Sequence, residues 1–233
     1  PIAIFSPNRA GRTGNTKNTH ENVKEVPEVV LNVVNFDIVQ QMSLSSSPYP
    51  KGVDEFVKAG FTKLPSHLVR PPRVAEAPVT MECKVKEVME LGEHGGAGNL
   101  IICEIVMIHI KEEVLDEKGL IDQKKIDLVA RMGGNWYCRA HGDALFEIPK
   151  PITTIGIGFD QVPEKIRHSK VLTGNNLGQL GSVEQLPSPE EISAYRGQEP
   201  KKFANEAELH AYAQSLLNVN KVAEAWKVLL ANA

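Results

Sequence analysis

The sequence predicts a mainly β fold with helices, in which a β-barrel is followed by a mainly helical C-terminal extension. Short β-branched or alternating runs occupy the first two thirds of the chain, whereas apolar residues at helical spacing occupy the last third. Strands and helices do not alternate regularly along the chain. A doubly wound parallel sheet requires that alternation, so a barrel with an appended helical region is the better interpretation.

The first strands and helices follow from local composition. An apolar strand is predicted at residues 1–5 and a buried, β-branched strand at residues 29–34. A helix follows around residues 37–42. A Ser/Pro loop over residues 43–52 then leads to a short helix over residues 53–59, which a glycine ends.

A long antiparallel pair of strands is predicted over residues 79–91 and 100–110, which alternate in polarity or run almost continuously apolar. The connection over residues 92–99 is too long and too rich in glycine for a tight hairpin, so we expect a wide loop that can approach a ligand. Further on, residues 131–138 contain a Gly-Gly turn that leads into an aromatic strand.

The C-terminal third carries clear helix signals. Ser188, Pro189 and Glu191 have the spacing of an N-cap, a first-turn proline and a capping-box partner. The apolar residues at helical spacing are Leu209, Tyr212, Ala213, Leu216 and Leu217, followed by Val222, Ala225, Trp226, Leu229 and Leu230. Such stripes mark a face that is buried in the core or between subunits.

Composition limits the classes of function. The chain has 233 residues, of which 42% are hydrophobic and 24% are charged, and its formal net charge is -3. It lacks the global positive field that gathers nucleic acid or anionic membranes, and no apolar run approaches the roughly 20 residues of a membrane span. No signal-peptide pattern is present, so a cytoplasmic location is expected. Cys83, Cys103 and Cys138 each lie in a strand-like run, which predicts buried free thiols.

A basic loop near the start of the chain is the clearest candidate site. Arg9, Arg12 and Lys17 precede the first acidic residue, Glu21, between the opening strand and a helix. Asn18 and Glu21 have the spacing of a helix N-cap and its box partner. Free backbone N–H groups at a helix start, the helix dipole and guanidinium groups all favour a phosphate dianion. The alternative is a solvated basic loop between a strand and a surface helix.

Other kinds of site have less support. Cys138 and His141 have a short spacing that suits a metal, but no second pair of ligands accompanies them, so no metal site is predicted. A P-loop requires a glycine directly before its lysine, and Lys17 lacks one. His109 lies in an apolar run and is interpreted as a packed strand residue.

Several short motifs follow one another in a definite order over residues 1–155. The first motif begins at residues 5–7 and includes Thr19 and Asn22, and the second consists of residues 52–56 and 59–61. The third consists of residues 77–78 followed by 82–85, and the fourth of His94 followed by residues 104–106. The fifth consists of residues 133–134 and Tyr137, followed by residues 145–147. Their order and spacing resemble the flavin reductase-like family of FMN-binding split barrels, and flavoredoxin and its relatives in particular.

The resemblance implies a homodimer of Greek-key split barrels in which FMN binds near the dimer interface and is reduced by NADH or NADPH. The family domain would cover residues 1–157, with its N-terminal strands missing from this chain, and residues 158–233 would form the helical extension. Cys103 stands where relatives often have a glycine, and residues 95–99 lengthen the loop after His94, so the orientation of His94 is left open.

The resemblance also implies the residues of the site. The implied FMN-binding residues are Ser6, Arg9, Arg12, Lys17, Asn18, Thr19, His94 and Tyr137. The first five lie where the family binds the phosphate tail, and Thr19 matches a threonine that contacts the flavin. His94 matches a histidine beside the isoalloxazine ring and is the candidate catalytic residue. Tyr137 or Trp136 would lie near an aromatic residue that the family places at the flavin.

Two functions follow from this interpretation. The first is an FMN-dependent oxidoreductase, an NAD(P)H:flavin oxidoreductase that passes electrons to free flavin, an oxygenase partner or another acceptor. The second is a non-enzymatic, flavoredoxin-like electron carrier that binds FMN without a nicotinamide site. A structural barrel that binds no flavin is the remaining interpretation, and the sequence does not separate the three.

Overall fold

Eight strands form three antiparallel sheets in the computed structural model, which describes residues 1–198 and 201–232. The strands are β1 (Ile2–Phe5), β2 (Glu28–Asn32), β3 (Lys63–Leu64), β4 (Arg73–Val74), β5 (Val79–Glu90), β6 (Asn99–Ile110), β7 (Val129–Gly133) and β8 (Trp136–Arg139). The helices are α1 (Asn18–Glu25), α2 (Val39–Ser45), α3 (Glu55–Ala59), α4 (Glu164–Arg167), α5 (Gly174–Gly181), α6 (Pro189–Gly197), α7 (Glu206–Asn218) and α8 (Val222–Ala231). Short 3₁₀ turns lie at Phe36–Ile38, Glu112–Val114, Gly142–Ala144 and Phe159–Gln161.

The largest sheet has the strand order β1-β6-β5-β2. Its centre is the β5–β6 pair, with 12 residues in each strand, which confirms the long antiparallel pair predicted from the sequence. Register shifts between Glu82 and Cys83 and between Val85 and Glu87 interrupt the ladder. The β3–β4 and β7–β8 pairs form two small sheets, and the second contains the predicted Gly-Gly turn.

The described strands do not close into the predicted barrel. Strands β1 and β2 lie at opposite edges of the four-stranded sheet and do not pair with each other, so this sheet stays open within the described residues. The structure confirms the coarser expectation, a mixed architecture of antiparallel sheets and helices.

The first unit, Pro1–Phe146, has a core cluster on one face of the large sheet and a second, smaller cluster around Val79, Val114 and Ile126. Ile101 and Cys103 on β6 and Cys83 on β5 are completely buried. Burial raises the pKa of the Cys103 thiol to about 11 and raises the pKa of Cys83 in the same direction. The prediction of a buried thiol is wrong for Cys138, because the β7–β8 hairpin leaves this residue exposed.

The start of helix α1 differs from the prediction. Lys17 is the N-cap and makes no side-chain cap bond, so Asn18 is already helical and the predicted Asn18 cap is wrong. The extended backbone of Lys17, with φ -82° and ψ 155°, sets this boundary. Glu21 instead accepts a hydrogen bond from Thr16 Oγ1 at 2.6 Å.

Other boundaries shift by a few residues. Strand β2 ends at Asn32, and helix α2 continues to Ser45, inside the predicted Ser/Pro loop. Helix α3 is shorter than predicted because Asp54 caps it, accepting a hydrogen bond from Phe56 N at 3.0 Å. Gly60 ends α3 as predicted, in the left-handed conformation with φ 70°.

The second unit, Glu147–Ala233, packs its helices around Trp226, which is fully buried and donates from Nε1 to the Leu180 carbonyl at 3.1 Å. The predicted capping box is confirmed, since Ser188 and Glu191 exchange side-chain-to-backbone hydrogen bonds. The predicted stripes are confirmed as core, with Leu209, Ala213, Leu216, Leu217, Ala225 and Leu229 among the buried residues. The predicted domain boundary after residue 157 stays a prediction. No helix in the described part of the chain has the length and hydropathy to cross a bilayer.

Candidate functional site

The basic loop between β1 and α1, residues 6–17, is called here the first loop. It folds back on itself, since the Ala10 carbonyl accepts a hydrogen bond from Gly14 N and the Asn15 carbonyl accepts one from Ala10 N, both at 2.8 Å. Gly14 has φ 72°, a conformation that favours glycine. The glycine therefore allows the turn that carries the chain into α1.

The glycine-rich loop between β5 and β6, residues 91–98, is called here the second loop, and it packs against the first. Arg9 N donates to the Ala97 carbonyl at 2.8 Å, and Gly96 N donates to the Arg9 carbonyl at 3.2 Å. Asn99 Nδ2 adds a hydrogen bond to the Pro7 carbonyl at 2.9 Å. The structure thus brings together two segments that lie about 80 residues apart in sequence.

The Arg9 side chain joins the two loops. Its guanidinium donates from Nε to the Gly92 carbonyl at 3.1 Å and from Nη1 to the Gly14 carbonyl at 3.2 Å. Nη2 forms an ion pair with Glu90 Oε2 at 3.2 Å. Three of the five guanidinium N–H donors are used in this way, so Arg9 has fewer donors for a phosphate than the sequence suggests.

Glu90, at the end of β5, connects the first loop to helix α1. Its Oε1 lies 2.5 Å from Lys24 Nζ and 3.3 Å from His20 Nε2, and its Oε2 pairs with Arg9. Hydrogen bonding to Lys24 is the main cause of the lowered pKa of Glu90.

The sequence did not predict that Glu90 and His20 belong to this site. The available signal was the helical spacing of His20 and Val23, which share the buried face of α1.

Arg12 and Lys17 are exposed and form no ion pair or side-chain hydrogen bond within the described part of the chain. Directly after them, the backbone N–H groups of Asn18 and Thr19 lie in the first turn of α1, where a helix supplies no partners. Two free cations and the positive end of a helix thus lie close in sequence at the end of the first loop. This donor set suits a phosphate dianion.

His94 lies on the exposed part of the second loop, beside the residues that contact the first loop. Its ring folds over Gly92, because a Cβ on Gly92 would lie 3.2 Å from His94 Cε1. Ser6, at the start of the first loop, donates a hydrogen bond from Oγ to Asn8 Oδ1 at 3.1 Å. Seven of the eight predicted site residues therefore lie on the two loops or the first turn of α1.

Tyr137 lies elsewhere in the first unit, on β8. It lines a cavity of about 620 Å³ between the β7–β8 hairpin and α2, and none of the other predicted site residues lines this cavity. Trp136 and Arg131 also line it. Arg139, which lines it too, forms a bidentate ion pair with Asp127 at 2.8 and 2.5 Å.

Within the described residues, no group of three or more His, Cys, Asp or Glu side chains is placed to hold a metal ion. Cys138 is exposed on β8, and His141 lies 3.6 Å from Asp127 Oδ1 through Nδ1.

The model of the family described as flavin reductase like domain matches residues 1–127, more than half of the chain. The chain belongs to the flavin reductase-like family. The matched segment contains both loops, helix α1 and Glu90, whereas Tyr137 and the rest of the β7–β8 hairpin lie beyond it.

Known relatives of this flavin reductase-like protein share its first part. A protein of Aquifex aeolicus without an assigned function is 31% identical over 121 residues, which are 52% of this chain and 60% of that protein. The chain thus spans about 60% of the length of this curated relative.

Solved structures agree with the family assignment. Nitrilotriacetate monooxygenase component B from Bacillus cereus is 27% identical, with a TM-score of 0.57 over 64% of this chain and 72% of that chain. A protein from Shewanella frigidimarina, assigned as a flavin reductase with a split barrel domain, is also 27% identical, with a TM-score of 0.54 over 64% of this chain and 71% of that chain.

Proposed function

We propose that this protein binds FMN and catalyses the reduction of flavin by NADH or NADPH, passing electrons to a further acceptor. The observation that carries the proposal is the donor set at the end of the first loop, where the exposed Arg12 and Lys17 lie close in sequence to the free N–H groups of α1. Because the chain belongs to the flavin reductase-like family, we infer that the anion bound by this donor set is the phosphate of a flavin.

The donor set fits the phosphate of FMN. Arg12 and Lys17 would neutralise its charge, and the backbone N–H groups of Asn18 and Thr19 would donate hydrogen bonds to its oxygens. Ser6 Oγ, at the start of the same loop, would add a neutral donor by exchanging its hydrogen bond to Asn8 Oδ1 for one to the phosphate. Arg9 would act mainly by holding the two loops together.

When bound, the flavin supplies the ring atom that accepts hydride from the nicotinamide. The chain's contribution is to place that ring, shield it from water and stabilise negative charge on it. His94 is the proposed catalytic residue, because an imidazole N–H on the second loop could donate to a ring carbonyl of the flavin. The proposal for Tyr137 is a contact with the flavin or nicotinamide from the hairpin cavity.

A redox partner is part of the proposal. The neighbouring structure from Bacillus cereus is a component of a monooxygenase, which supports an oxygenase as the acceptor of the electrons. The homodimer implied by the family resemblance, the cytoplasmic location and the choice between NADH and NADPH stay predictions.

Absorption spectroscopy and stopped-flow reduction test this function. We expect the purified protein, loaded with FMN, to show flavin bands that bleach within seconds of mixing with NADH or NADPH. Free FMN mixed with the same nicotinamide is the control. Bleaching only by a protein donor would favour the electron carrier instead, and a colourless protein that takes up no FMN would contradict both functions.

A further inference from the structure

Glu90 contacts the first loop and the helix that follows it. Its Oε2 lies 3.2 Å from Nη2 of Arg9, near the beginning of the loop. Its Oε1 lies 2.5 Å from Nζ of Lys24 and 3.3 Å from Nε2 of His20, both on the helix into which the loop runs. One carboxylate thus joins β5 to the segment before Arg12 and to the segment after Lys17.

The partners of Glu90 are better shielded than those of an ordinary surface ion pair. The His20 side chain is 0% exposed and the Arg9 side chain 16% exposed, although Glu90 and Lys24 remain partly open to solvent. Shielding reduces screening by water and salt, and several partners share one acceptor. Glu90 therefore has two shielded partners, which an isolated exposed ion pair lacks.

Between these anchors, the first loop is held by its own hydrogen bonds and by the second loop. Its internal hydrogen bonds join Ala10 with Gly14 and Asn15, Thr13 with Asn15, Ser6 with Asn8, and Arg9 Nη1 with the Gly14 carbonyl. The segment that carries Arg12 takes its position from these bonds, from the second loop and from helix α1. Glu90 supports this segment from two sides, through Arg9 and through helix α1.

We propose that Glu90 is a positioning residue for phosphate recognition, holding Arg9 and helix α1 so that Arg12, Lys17 and the first turn of α1 face one phosphate group. Glu90 itself does not contact the phosphate. The positive charges of Arg9 and Lys24 outweigh its negative charge, so the cluster as a whole does not repel a bound anion. This inference rests on the proposed FMN site and adds to it a residue that acts through others.

The test compares FMN with riboflavin, which has the same ring system but lacks the phosphate. Dissociation constants for both are measured by flavin fluorescence titration with wild type, Glu90→Gln and the control Glu87→Gln. Glu87 lies on the same strand, is exposed and has no hydrogen-bond or ion-pair partner among the described residues. We expect Glu90→Gln to weaken FMN binding about three- to ten-fold and to leave riboflavin binding and Glu87→Gln unchanged.

A merely structural role would give a different result. An equal loss of affinity for FMN and riboflavin, or no loss at all, would overturn the positioning role. If Glu90→Gln fails to fold, as judged by its thermal melting, Lys24→Met removes an exposed partner of the same carboxylate and is expected to weaken FMN binding about two-fold. No effect of Lys24→Met on FMN binding would then count against the proposal.

The titrations distinguish an error about the phosphate site from an error about the role of Glu90. If wild type binds riboflavin as tightly as FMN, the phosphate site itself is wrong and the role of Glu90 falls with it. If wild type prefers FMN and Glu90→Gln keeps that preference in full, the phosphate site stands and only the role of Glu90 is wrong.

Discussion

Glu82 and His109 form a part-buried hydrogen-bonded pair, with 2.7 Å between Glu82 Oε1 and His109 Nε2. The Glu82 side chain is completely buried, and its carboxylate also accepts hydrogen bonds from the backbone N–H groups of His67 and Leu68 at 2.8 and 2.6 Å. The His67 ring packs edge-on against His109, with 5.1 Å between the ring centroids. This cluster attaches the segment between β3 and β4 to the centre of the large sheet.

Removal of this carboxylate should destabilise the fold. In Glu82→Ala, the backbone N–H groups of His67 and Leu68 and the imidazole of His109 lose their common acceptor. We expect the free energy of unfolding to fall by about 3 kcal/mol, measured by urea denaturation. The exposed Glu87→Ala on the same strand is the control and should change it by less than about 0.5 kcal/mol. Equal effects of the two variants would show that the buried cluster adds no stability.

The same cluster predicts how stability depends on pH. Burial by itself raises the pKa of Glu82, but hydrogen bonds from His67, Leu68 and His109 outweigh burial and lower the pKa to about 2 from the usual 4.5. Because the folded-state pKa is depressed, the ionised carboxylate stabilises the fold fully above pH 4.5, and this contribution is lost as pH falls from 4.5 to about 2.

Urea denaturation of wild type and Glu82→Gln across this range measures that dependence. The amide does not titrate, so the difference between the two proteins should shrink as the pH falls. A difference that stays constant down to the lowest accessible pH would show that Glu82 is not the titrating group.

The sequence predicted the strands around this cluster but not the cluster itself. Alternation places the adjacent residues Glu82 and Cys83 on opposite faces of β5, and a charged residue on such a strand is normally read as solvent-facing. Both are buried, because Cys83 faces the core of the first unit and residues 67–68 cover Glu82 on the other face. No local sequence pattern around Glu82 indicates that residues 67–68 pack over it. His109 was predicted as a packed strand residue, and this is confirmed.

One part of the candidate site could likewise be predicted from the sequence, and another part could not. The first loop could be predicted because its cations, its glycines and the following helix are neighbours in sequence. The attachment of Arg9 to Gly92 spans 83 residues, and it comes from the register of β5 and β6 rather than from any motif. Glu90 was missed for that reason, since its partners lie on another part of the chain.

The free cations of the first loop should contribute to FMN affinity through the phosphate. We expect Arg12→Ala or Lys17→Ala to weaken FMN binding by about 1 to 3 kcal/mol, the range of a lost charge-assisted hydrogen bond, and to leave riboflavin binding unchanged. Fluorescence titration measures both. Lys118→Ala, which removes an exposed lysine from a distant turn, is the control for the loss of one positive charge. Unchanged FMN affinity in both loop variants would argue strongly against a phosphate at this loop.

His94 should affect the rate of flavin reduction more than the binding of FMN. Its side chain is exposed on the second loop and does not take part in joining the two loops, so His94→Ala should fold and retain FMN. We expect slower bleaching by NADH or NADPH in the stopped-flow experiment, because a donor to the flavin ring is lost. His168→Ala, at an exposed site in the second unit, should reduce at the wild-type rate. Equal rates for His94→Ala and wild type would remove this histidine from the mechanism.

The contact between the two loops leaves no room for a side chain at Gly95. A Cβ there would collide with the Gly11 carbonyl oxygen and lie 3.2 Å from the Ala10 carbonyl oxygen. Backbone atoms cannot move aside as the end of a flexible side chain can, so Gly95→Ala should force the loops apart. We expect a loss of about 1 to 3 kcal/mol in the free energy of unfolding, together with weaker FMN binding.

Gly11→Ala is the matched control for this change, since a Cβ at Gly11 meets no atom within 4 Å. It should leave both stability and FMN affinity close to wild type, because the residue does not lie in the left-handed region. Urea denaturation and FMN titration of the two variants therefore separate a steric effect at the loop contact from the general cost of adding a methyl group to a glycine-rich loop. If Gly95→Ala behaved like Gly11→Ala in both measurements, the two loops would not be in contact in solution, and a phosphate site that depends on their pairing would lose its structural basis.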